Sequence, residues 1–389
     1  KWVNPTTRTI YAVCGDSQLY NVSLSYNLQN TKLTTSQVEV ALPPDTQYQK
    51  ITVNSISSKP TKIYQDEDGN LMATFAIKPR ETKTINADMT IEVFAGPRED
   101  VTLSLKNLFE RQKKYLLDSR KYWEIKSLDK IEGPKNVEEI YRFVTEKLGY
   151  SYDRVNKNNI RLGAELILQN PEIAVCMEFT DLFVGMAREK GIYAREIQGY
   201  GASSDTRLRP LSLSSDILHA WPEYYDEASG IWRPVDPTWE NTSGIDYFNS
   251  FDLNHITFAI HGKDSEYPWP AGMYKLENSK DIEVTAITER PAEIMDLKNE
   301  NLTLPDKIIK GKQFKGKIGI VNSGNVYAWE VPVKIEGRKL SVDNDELIIN
   351  SLAPGEVKEI EIVFEGSADD SDMGLLISVP GKEIYDHKI

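Results

Sequence analysis

Cysteine, histidine and clustered basic residues are scarce in this chain of 389 residues. Its 2 cysteines cannot build a disulfide framework, and the sequence has no Cys-x-x-Cys pair or Cys/His cluster of the kind that holds structural zinc. The sequence does not decide whether Cys14 and Cys176 form one disulfide, because cysteine pairing cannot be read from a sequence. The formal net charge is −13 without a Lys/Arg cluster, which argues against nucleic acid as a partner. We predict no required metal and no cofactor.

Long apolar runs are also missing. Because no stretch of roughly 18 apolar residues occurs, the sequence predicts no membrane span. The sequence begins at Lys1 rather than Met, so we leave room for a signal peptide or an anchor outside it. We expect an extracellular or cell-surface protein, with a cytoplasmic location as the alternative. The oligomeric state stays unknown.

The order of strand-like and helix-like patterns predicts three domains. Residues 1–97 carry short alternating segments rich in Val, Ile, Thr and Tyr, which predict an N-terminal β-sandwich. Residues 98–278 begin with helical patterns and continue with strands. Residues 279–389 return to strands, beginning with "DIEVTAITE", and predict a second, immunoglobulin-like β-sandwich. The predicted fold class is therefore α+β, with a β-sandwich on each side of a mixed core.

Two acidic stretches invite comparison with calcium loops. "DEDGN" at residues 66–70 is far too short for an EF-hand and predicts a hairpin turn between two strands. "SADDSDMG" at residues 367–374 is typical of a solvated acidic loop. Neither end domain groups titratable residues in a way that suggests chemistry, so we predict that both are spacers or binding modules.

Two helical patterns mark the middle domain. "NVEEIYRFVTEKLGY" predicts a helix after the capping residue Asn136. A second helix follows Cys176, because apolar residues recur there at helical spacing, and it ends before Gly191. The apolar positions of this second helix are Phe179, Leu182, Phe183 and Met186.

Cys176 opens the second helix. The unpaired N–H groups and the dipole at a helix N-terminus stabilise a thiolate, and the same N–H groups can hold the oxyanion of an acyl-transfer intermediate. A lone cysteine beside apolar residues is nevertheless ordinarily an inert core residue. The nucleophile hypothesis therefore depends on whether the chain supplies a base.

His219 is the histidine for which the sequence supplies a partner. It lies in "DILHAWPEYYD", which predicts a strand, and "GIWRPVDPTW" predicts the returning strand of a hairpin. With a four-residue loop at 226–229, Tyr225 faces Gly230 and His219 faces Asp236, so that both side chains point to one face of the sheet. A five-residue loop would turn Asp236 to the other face. The order Cys, His, Asp supplies a nucleophile, a base and an orienting carboxylate.

These blocks resemble the core signature of the transglutaminase-like superfamily. The segments "AVCMEFTDLFVGMAREKGIYAREIQGY" and "LHAWPEYYDEASGIWRPVDPTW" carry its Cys-opened helix, "R-x-x-G-I-x-A-R", "H-A-W-x-E" and "W-x-x-V-D-P-T-W" in the same order. The resemblance, over about residues 140–240, implies a papain-like core of a multidomain, prokaryotic-type member. It implies Cys176 as nucleophile, His219 as general base and Asp236 as orienting acid. Tyr193 stands where the family often has Pro, which affects a turn rather than the chemistry.

The resemblance implies a thiol enzyme that forms a Cys176 thioester from an amide or peptide carbonyl of a protein or peptide substrate. The acyl group then passes to water or to an amine, so a cysteine peptidase or amidase and a protein crosslinking enzyme stay equal alternatives. A different class is a non-catalytic cell-surface or adhesion protein that uses the core as a structural or binding module. A zinc-dependent amidase of the superfamily is disfavoured, because its metal-binding cysteines are missing.

Other residues of the middle domain receive structural interpretations. Three tryptophans are predicted to fill the core or wall the cleft, since aromatic side chains favour burial. They are Trp221, Trp232 and Trp239. Arg188 and Arg195 are predicted to hold local carboxylates, with Glu178, Asp181 and Glu223 as candidates.

Two questions are left open by the sequence. His255 and His261 have no partner that can be placed, so we predict ordinary core or surface histidines. The side chain that would complete an oxyanion hole is not assigned, and the candidates are Tyr150, Tyr152 and Gln169.

Overall fold

The computed structural model of the chain describes residues 2–4, 9–11, 15–127, 133–155, 160–201, 218–274, 280–304, 309–366, 373–379 and 382–388. Across these ranges the chain is rich in β-strands and has few helices. Cys14 and residues 367–372 of the predicted acidic loop lie outside them. None of the helices within these ranges combines the length and the apolar character that a membrane crossing needs.

Contacts divide the chain into two compact units. The first consists of residues 1–51, 58–86 and 90–290, and the second of residues 52–57, 87–89 and 291–389. Most of the predicted domains 1–97 and 98–278 therefore falls in the first unit. The division into three domains stays a prediction, because compactness alone does not decide whether a segment folds by itself.

The described residues between 2 and 94 form eight strands. They are β1 (Trp2–Asn4), β2 (Thr9–Tyr11), β3 (Ser17–Gln29), β4 (Ser36–Leu42), β5 (Gln49–Ile56), β6 (Lys62–Gln65), β7 (Leu71–Ile77) and β8 (Thr82–Phe94). β1 pairs with β2, and a three-stranded sheet has the order β4-β7-β6. As predicted, the "DEDGN" turn joins β6 to β7, and Gly69 within it has a φ of 97°, which favours glycine.

The four-stranded N-terminal sheet contains a strand from far along the chain. Its order is β13-β3-β8-β5, where β13 (Ile282–Ile287) pairs with β3 in antiparallel fashion. β13 comes from "DIEVTAITE", which we assigned to the C-terminal domain, so the structure corrects the placement of this strand. Alternation of apolar and polar residues marks a strand but does not say which strand it pairs with.

Six helices lie between residues 102 and 243 in the described part of the chain. They are α1 (Thr102–Gln112), α2 (Val137–Lys147), α3 (Tyr152–Val155), α4 (Ala164–Gln169), α5 (Cys176–Glu189) and α6 (Pro237–Ser243). As predicted, the Asn136 side chain caps α2 by accepting from the N–H of Glu139 at 2.9 Å, and Gly191 follows the end of α5 with a φ of 76°. The predicted apolar face of α5 is fully buried.

The central sheet of the first unit has the order β11-β10-β9-β12. Its strands are β9 (Ala194–Gly201), β10 (Leu218–Asp226), β11 (Ile231–Pro234) and β12 (His255–His261). The helix α5 packs against β9 and β10, and its apolar face forms one core with α2 and α4. Cys176 and His219 are thereby carried by two neighbouring elements, the helix and the strand beneath it.

The β10–β11 hairpin has a different register from the predicted one. Asp226 faces Ile231, so the loop is again four residues long but lies at 227–230, one residue further along the chain than predicted. The pairing ends where Glu223 faces Pro234, and Asp236 lies beyond it as the N-cap of α6. Direct opposition of His219 and Asp236 in the ladder is therefore wrong. The two registers differ by two residues, which keeps the same side chains on the same face.

β12 lies at one edge of the central sheet, and amide side chains cover its outer backbone groups. Gln49 accepts from the N–H of Thr257 at 2.9 Å and donates to its carbonyl at 3.0 Å. Asn70 does the same for Ile260, at 2.7 and 2.8 Å. Each primary amide therefore supplies the donor and the acceptor that a neighbouring strand would have supplied.

Residues 297–388 form two further four-stranded sheets, with the orders β14-β15-β19-β17 and β18-β16-β20-β21. The strands are β14 (Leu297–Thr303), β15 (Gln313–Asn322), β16 (Ala328–Arg338), β17 (Leu340–Val342), β18 (Glu346–Leu352), β19 (Val357–Gly366), β20 (Gly374–Val379) and β21 (Lys382–Lys388). Both sheets contribute buried side chains to one apolar cluster. An immunoglobulin-like β-sandwich stays our proposal for this arrangement.

Candidate active site

Cys176 lies in a cavity of about 510 Å³ in the first unit. It is the first residue of α5, and its half-buried thiol is free. Glu178 folds back to accept from the N–H of Val175 at 2.9 Å, which fixes the start of the helix. The first N–H groups of a helix have no partner within it, so α5 presents donors next to the thiol.

His219 projects from β10 and lines the same cavity. The Trp239 ring stacks on its imidazole, with ring centroids 4.9 Å apart and planes 17° apart. Gly201 is required beside this stack, because a Cβ atom there would lie 2.6 Å from the Trp239 ring. The imidazole is thus held in one orientation by packing as well as by hydrogen bonds.

Two side chains contact the His219 ring through polar atoms. Its Nε2 lies 2.7 Å from Oδ2 of Asp236, and its second polar partner is the Cys176 thiol. Burial lowers the pKa of His219, but the charge and hydrogen bond of Asp236 and the hydrogen bond with Cys176 raise it to about 9. Because Asp236 occupies Nε2, the nitrogen that remains for Cys176 is Nδ1. The structure therefore brings together the three residues that the sequence predicted.

Asp236 is placed by its position as the N-cap of α6. Its Oδ1 accepts from the N–H of Trp239 at 2.9 Å, and Pro237 begins the helix, where its missing N–H costs nothing. The carboxylate is fully buried. Burial raises its pKa, but His219 and His255 outweigh this effect and lower the pKa to about 2. Asp236 is therefore an ionised carboxylate across the neutral range.

His255 is a member of the site that the sequence interpretation missed. Its Nε2 lies 3.1 Å from Oδ2 of Asp236, and its Nδ1 lies 2.7 Å from Oδ1 of Asp252. His255 is buried, in agreement with the core alternative, but the sequence did not place these two partners. The Asp252–His255 spacing in "DLNHITFAIHG" is a local signal for the second contact. The contact with Asp236 depends on how β12 lies beside β9, which no local pattern contains.

The free energy of unfolding should fall as the pH rises from 6.5 to 9. Burial lowers the pKa of His219 and of His255, but nearby carboxylates outweigh burial and raise both pKa values from 6.5 to about 9. A group whose pKa is higher in the folded chain stabilises fully below its unfolded pKa and loses that effect as the pH passes its folded pKa. We expect a loss on the order of 2 kcal/mol. Urea unfolding at pH 6 and pH 9 measures it. An equal free energy of unfolding at both values would contradict the assignment.

Buried ion pairs support the helix that carries Cys176. Arg154 pairs with Glu178 at 3.2 Å, and Arg161 pairs with Asp181 and with Glu196. Glu178 and Asp181 are thus held by arginines from the segment before α5, and not by the predicted Arg188 and Arg195. They fasten the loop that precedes Cys176 to the helix itself.

The two predicted arginine roles have different outcomes. Arg195 pairs with Glu223 at 2.6 Å, which confirms its prediction. Arg188 binds no carboxylate within the described residues but donates to the carbonyls of Asp118, Ala194 and Gly262. Its place at the buried end of α5, against the strand ends, explains why it bonds backbone instead of an acid.

The remaining candidates from the sequence are placed as follows. Trp221, Trp232 and Trp239 are each 2% exposed, which confirms the core interpretation. Tyr150 lines the cavity, and burial together with the charge of Cys176 raises its pKa. Gln169 instead binds Glu165 on the exposed side of α4. Tyr150 is therefore the best placed of the oxyanion candidates.

A metal ion is a further possibility to test at this site, because nitrogen and oxygen atoms of His219, Asp236 and His255 lie within 4.8 Å of one another. The histidine nitrogens are 2.7 and 3.1 Å from one carboxylate oxygen, which requires protons on those nitrogens. Metal ligation requires the same nitrogens without protons. The donor set fits a hydrogen-bond network rather than a cation.

One protein family matches the part of the chain in which the site lies. Residues 125–237 match the family described as the transglutaminase-like superfamily. This range contains Cys176, His219 and Asp236 and ends before His255. No curated protein sequence matches the chain.

Solved structures show more distant likeness. A candidate cysteine protease from Cytophaga hutchinsonii is 14% identical with a TM-score of 0.42, over 70% of this chain and 89% of that one. The periplasmic domain of TgpA from Pseudomonas aeruginosa is 12% identical with a TM-score of 0.31, over 62% and 100%. Red sea bream transglutaminase is 10% identical with a TM-score of 0.23, over 90% and 93%. Each of these TM-scores is below 0.5.

Proposed function

We propose, on the premise that residues 125–237 belong to the transglutaminase-like superfamily, that this protein is a thiol enzyme of the acyl-transfer class. The observation that carries the proposal is the position of His219 between the Cys176 thiol and the Asp236 carboxylate in one cleft. A nucleophile, a base and an orienting acid are what this chemistry requires.

The reaction follows from these contacts. Sγ of Cys176 attacks the carbonyl carbon of an amide, and His219 takes the thiol proton and gives it to the leaving amine, which leaves a thioester. The N–H groups at the start of α5, with the Tyr150 hydroxyl, hold the oxyanion. Water or a second amine then attacks the thioester, His219 takes its proton, and the Cys176 thiol is restored.

The lip of the cleft favours an apolar substrate side chain. Trp269 and Met273 line the cavity and are 53% and 54% exposed, which is unusual for side chains of this size beside a nucleophile. Leu218 adds a third apolar contact next to His219. Exposed aromatic anchors of this kind are typical of binding surfaces.

The charged side chains of the cleft are already paired. Arg154 and Arg161 bind buried carboxylates of the protein, and Glu266 binds Lys121 at 2.8 Å. A charged substrate group would have to break one of these pairs. We therefore propose a protein or peptide substrate in which an uncharged, apolar residue lies next to the attacked carbonyl.

A peptide panel tests this function. We expect a glutamine peptide with Leu beside the glutamine to react at least about tenfold faster than one with Asp there, because the apolar lip stabilises only the first. A labelled primary amine is present in each reaction. Mass spectrometry then shows incorporated label for transfer, glutamate for side-chain hydrolysis and shorter peptides for backbone cleavage.

The control is the same panel with the Cys176→Ala variant, which should leave every peptide unchanged. If the wild-type protein consumes no peptide and Cys176 reacts with iodoacetamide no faster than free cysteine, the enzyme proposal fails. The non-catalytic adhesion protein would then be the better description.

A further inference from the structure

We propose that His255 is a positioning residue that acts through Asp236, as a doubly protonated imidazolium that holds the carboxylate and offsets part of its charge at His219. The proposal rests on the proposed function, in which His219 is the base. His255 lies outside the range matched by the family.

The protonation of His255 follows from the atoms that it contacts. Nε2 lies 3.1 Å from a carboxylate oxygen of Asp236, and Nδ1 lies 2.7 Å from one of Asp252. An ionised carboxylate only accepts hydrogen bonds, so each of these nitrogens needs its own proton. The neutral imidazole has one such proton and satisfies only one of the two contacts. With both aspartates ionised, His255 is therefore a cation.

The charges around the ring agree with this assignment. Burial lowers the pKa of His255, but Asp252 and Asp236 raise it to about 9. Burial raises the pKa of the Asp252 carboxyl, but His255 outweighs burial and keeps this pKa below its usual value. At neutral pH the three groups are thus an anion, a cation and a second anion.

His255 shares the oxygen of Asp236 that His219 uses. Oδ2 accepts from both histidines, at 2.7 and 3.1 Å, while Oδ1 accepts from the N–H of Trp239. Three donors therefore fix the carboxylate in position and direction. The positive charge of His255 also offsets part of the negative charge of Asp236, which would otherwise act on His219 alone. His219 consequently holds its proton less tightly and gives it to a leaving amine more readily.

The groups that face His255 come from several elements. The titratable groups in direct contact are Asp252, Asp236 and the ring of His219. Tyr247 and Tyr20 lie next to Asp252. Across a small cavity lie Tyr48 and Glu223, which pairs with Arg195. The others are the rings of Trp221, Trp239 and Phe251, with centroids 4.9, 4.3 and 4.2 Å from the imidazole. A cation enclosed by these aromatic rings is screened little by solvent, so its charge acts on Asp236 with full effect.

Histidine NMR titration of the isotope-labelled full chain tests the proposal. In the wild-type protein both nitrogens of His255 should carry protons at pH 7. In the His255→Gln variant the midpoint of His219 should rise by about one pH unit, because the whole charge of Asp236 then acts on it. A purely structural role for His255 would lower the melting temperature without this shift.

The matched control is His261→Gln. His261 is an equally buried histidine at the other end of β12, and it donates to the carbonyl of Pro268 instead of contacting Asp236. This variant should leave the His219 midpoint unchanged. A His219 midpoint that is equal in wild type and His255→Gln, or a His255 ring with one proton at pH 7, overturns the proposal.

If His255→Gln does not fold, Asp252→Asn replaces it. Removal of this anion should lower the midpoint of His255 by about one pH unit or more, and an unchanged midpoint overturns the proposal. The titration needs no substrate, so an inactive protein with an unreactive Cys176 refutes the proposed function and still gives the His219 midpoint. An active protein with an unmoved midpoint refutes the role of His255 alone.

Discussion

The Cys176→Ala variant should fold normally and lose turnover by at least about 10⁴-fold, together with the fast alkylation of a single thiol. Sγ of Cys176 is the atom that forms the thioester, so no other group in the cleft can replace it. The fold should survive, because Cys176 is half-buried at the first position of α5 and alanine is a better helix former. Iodoacetamide alkylation followed by mass spectrometry measures the reactive thiol, and thermal unfolding measures the fold.

Cys14 provides the control for this experiment. It is the other cysteine of the chain, so a Cys14→Ser variant should keep both the turnover and the fast alkylation. If fast alkylation persists in Cys176→Ala and disappears in Cys14→Ser, the reactive thiol is Cys14 and not Cys176. The proposed chemistry would not survive that result.

The Asp236→Asn variant should lower turnover by about 10³- to 10⁴-fold while the protein stays folded. Asparagine keeps a carbonyl oxygen that can still accept from the N–H of Trp239, so the cap of α6 is retained. The amide has no charge to stabilise the His219 imidazolium, and its NH₂ group would face a histidine nitrogen that is itself a donor. Steady-state turnover and circular dichroism melting measure the two effects separately.

Asp246→Asn is the matched substitution for Asp236→Asn. Asp246 is an exposed aspartate ten residues further along, and it accepts from the N–H groups of Phe248 and Asn249. We expect turnover within about twofold of wild type in this variant, since surface substitutions of this kind change little. Equal losses in the two variants would mean that Asp236 acts on stability rather than on His219.

Much of the site was predictable because its parts have local signals. The start of α5 at Cys176, its apolar face and its end before Gly191 each follow from spacing within about fifteen residues. Even the contact between His219 and Asp236 was predicted, although from a register that is wrong. Asp236 makes this contact from the N-cap of α6 and not from the ladder, so the predicted pair of residues is right although the predicted reason is not.

Other features depend on contacts between distant parts of the chain, and these were missed. His255 meets Asp236 because β12 pairs with β9, and β13 joins an N-terminal sheet some 260 residues away along the chain. The role of Arg188 was misassigned for a similar reason, since its carbonyl partners come from separate loops and strands. The charge of Arg188 suggested a carboxylate partner, but at its buried position the available acceptors are backbone carbonyl oxygens.

The amide side chains of Gln49 and Asn70 have a consequence for the solution behaviour of the chain. An open edge of a sheet attracts a strand from another molecule, and this is a common route to aggregation. Here the strand that carries His255 has its edge occupied by two residues from the first fifth of the sequence. A shortened chain that begins at Arg98 would retain the three residues of the proposed site but expose this edge. We therefore expect the shortened chain to self-associate more readily than the full chain, because an unpaired edge strand is open to pairing with another molecule.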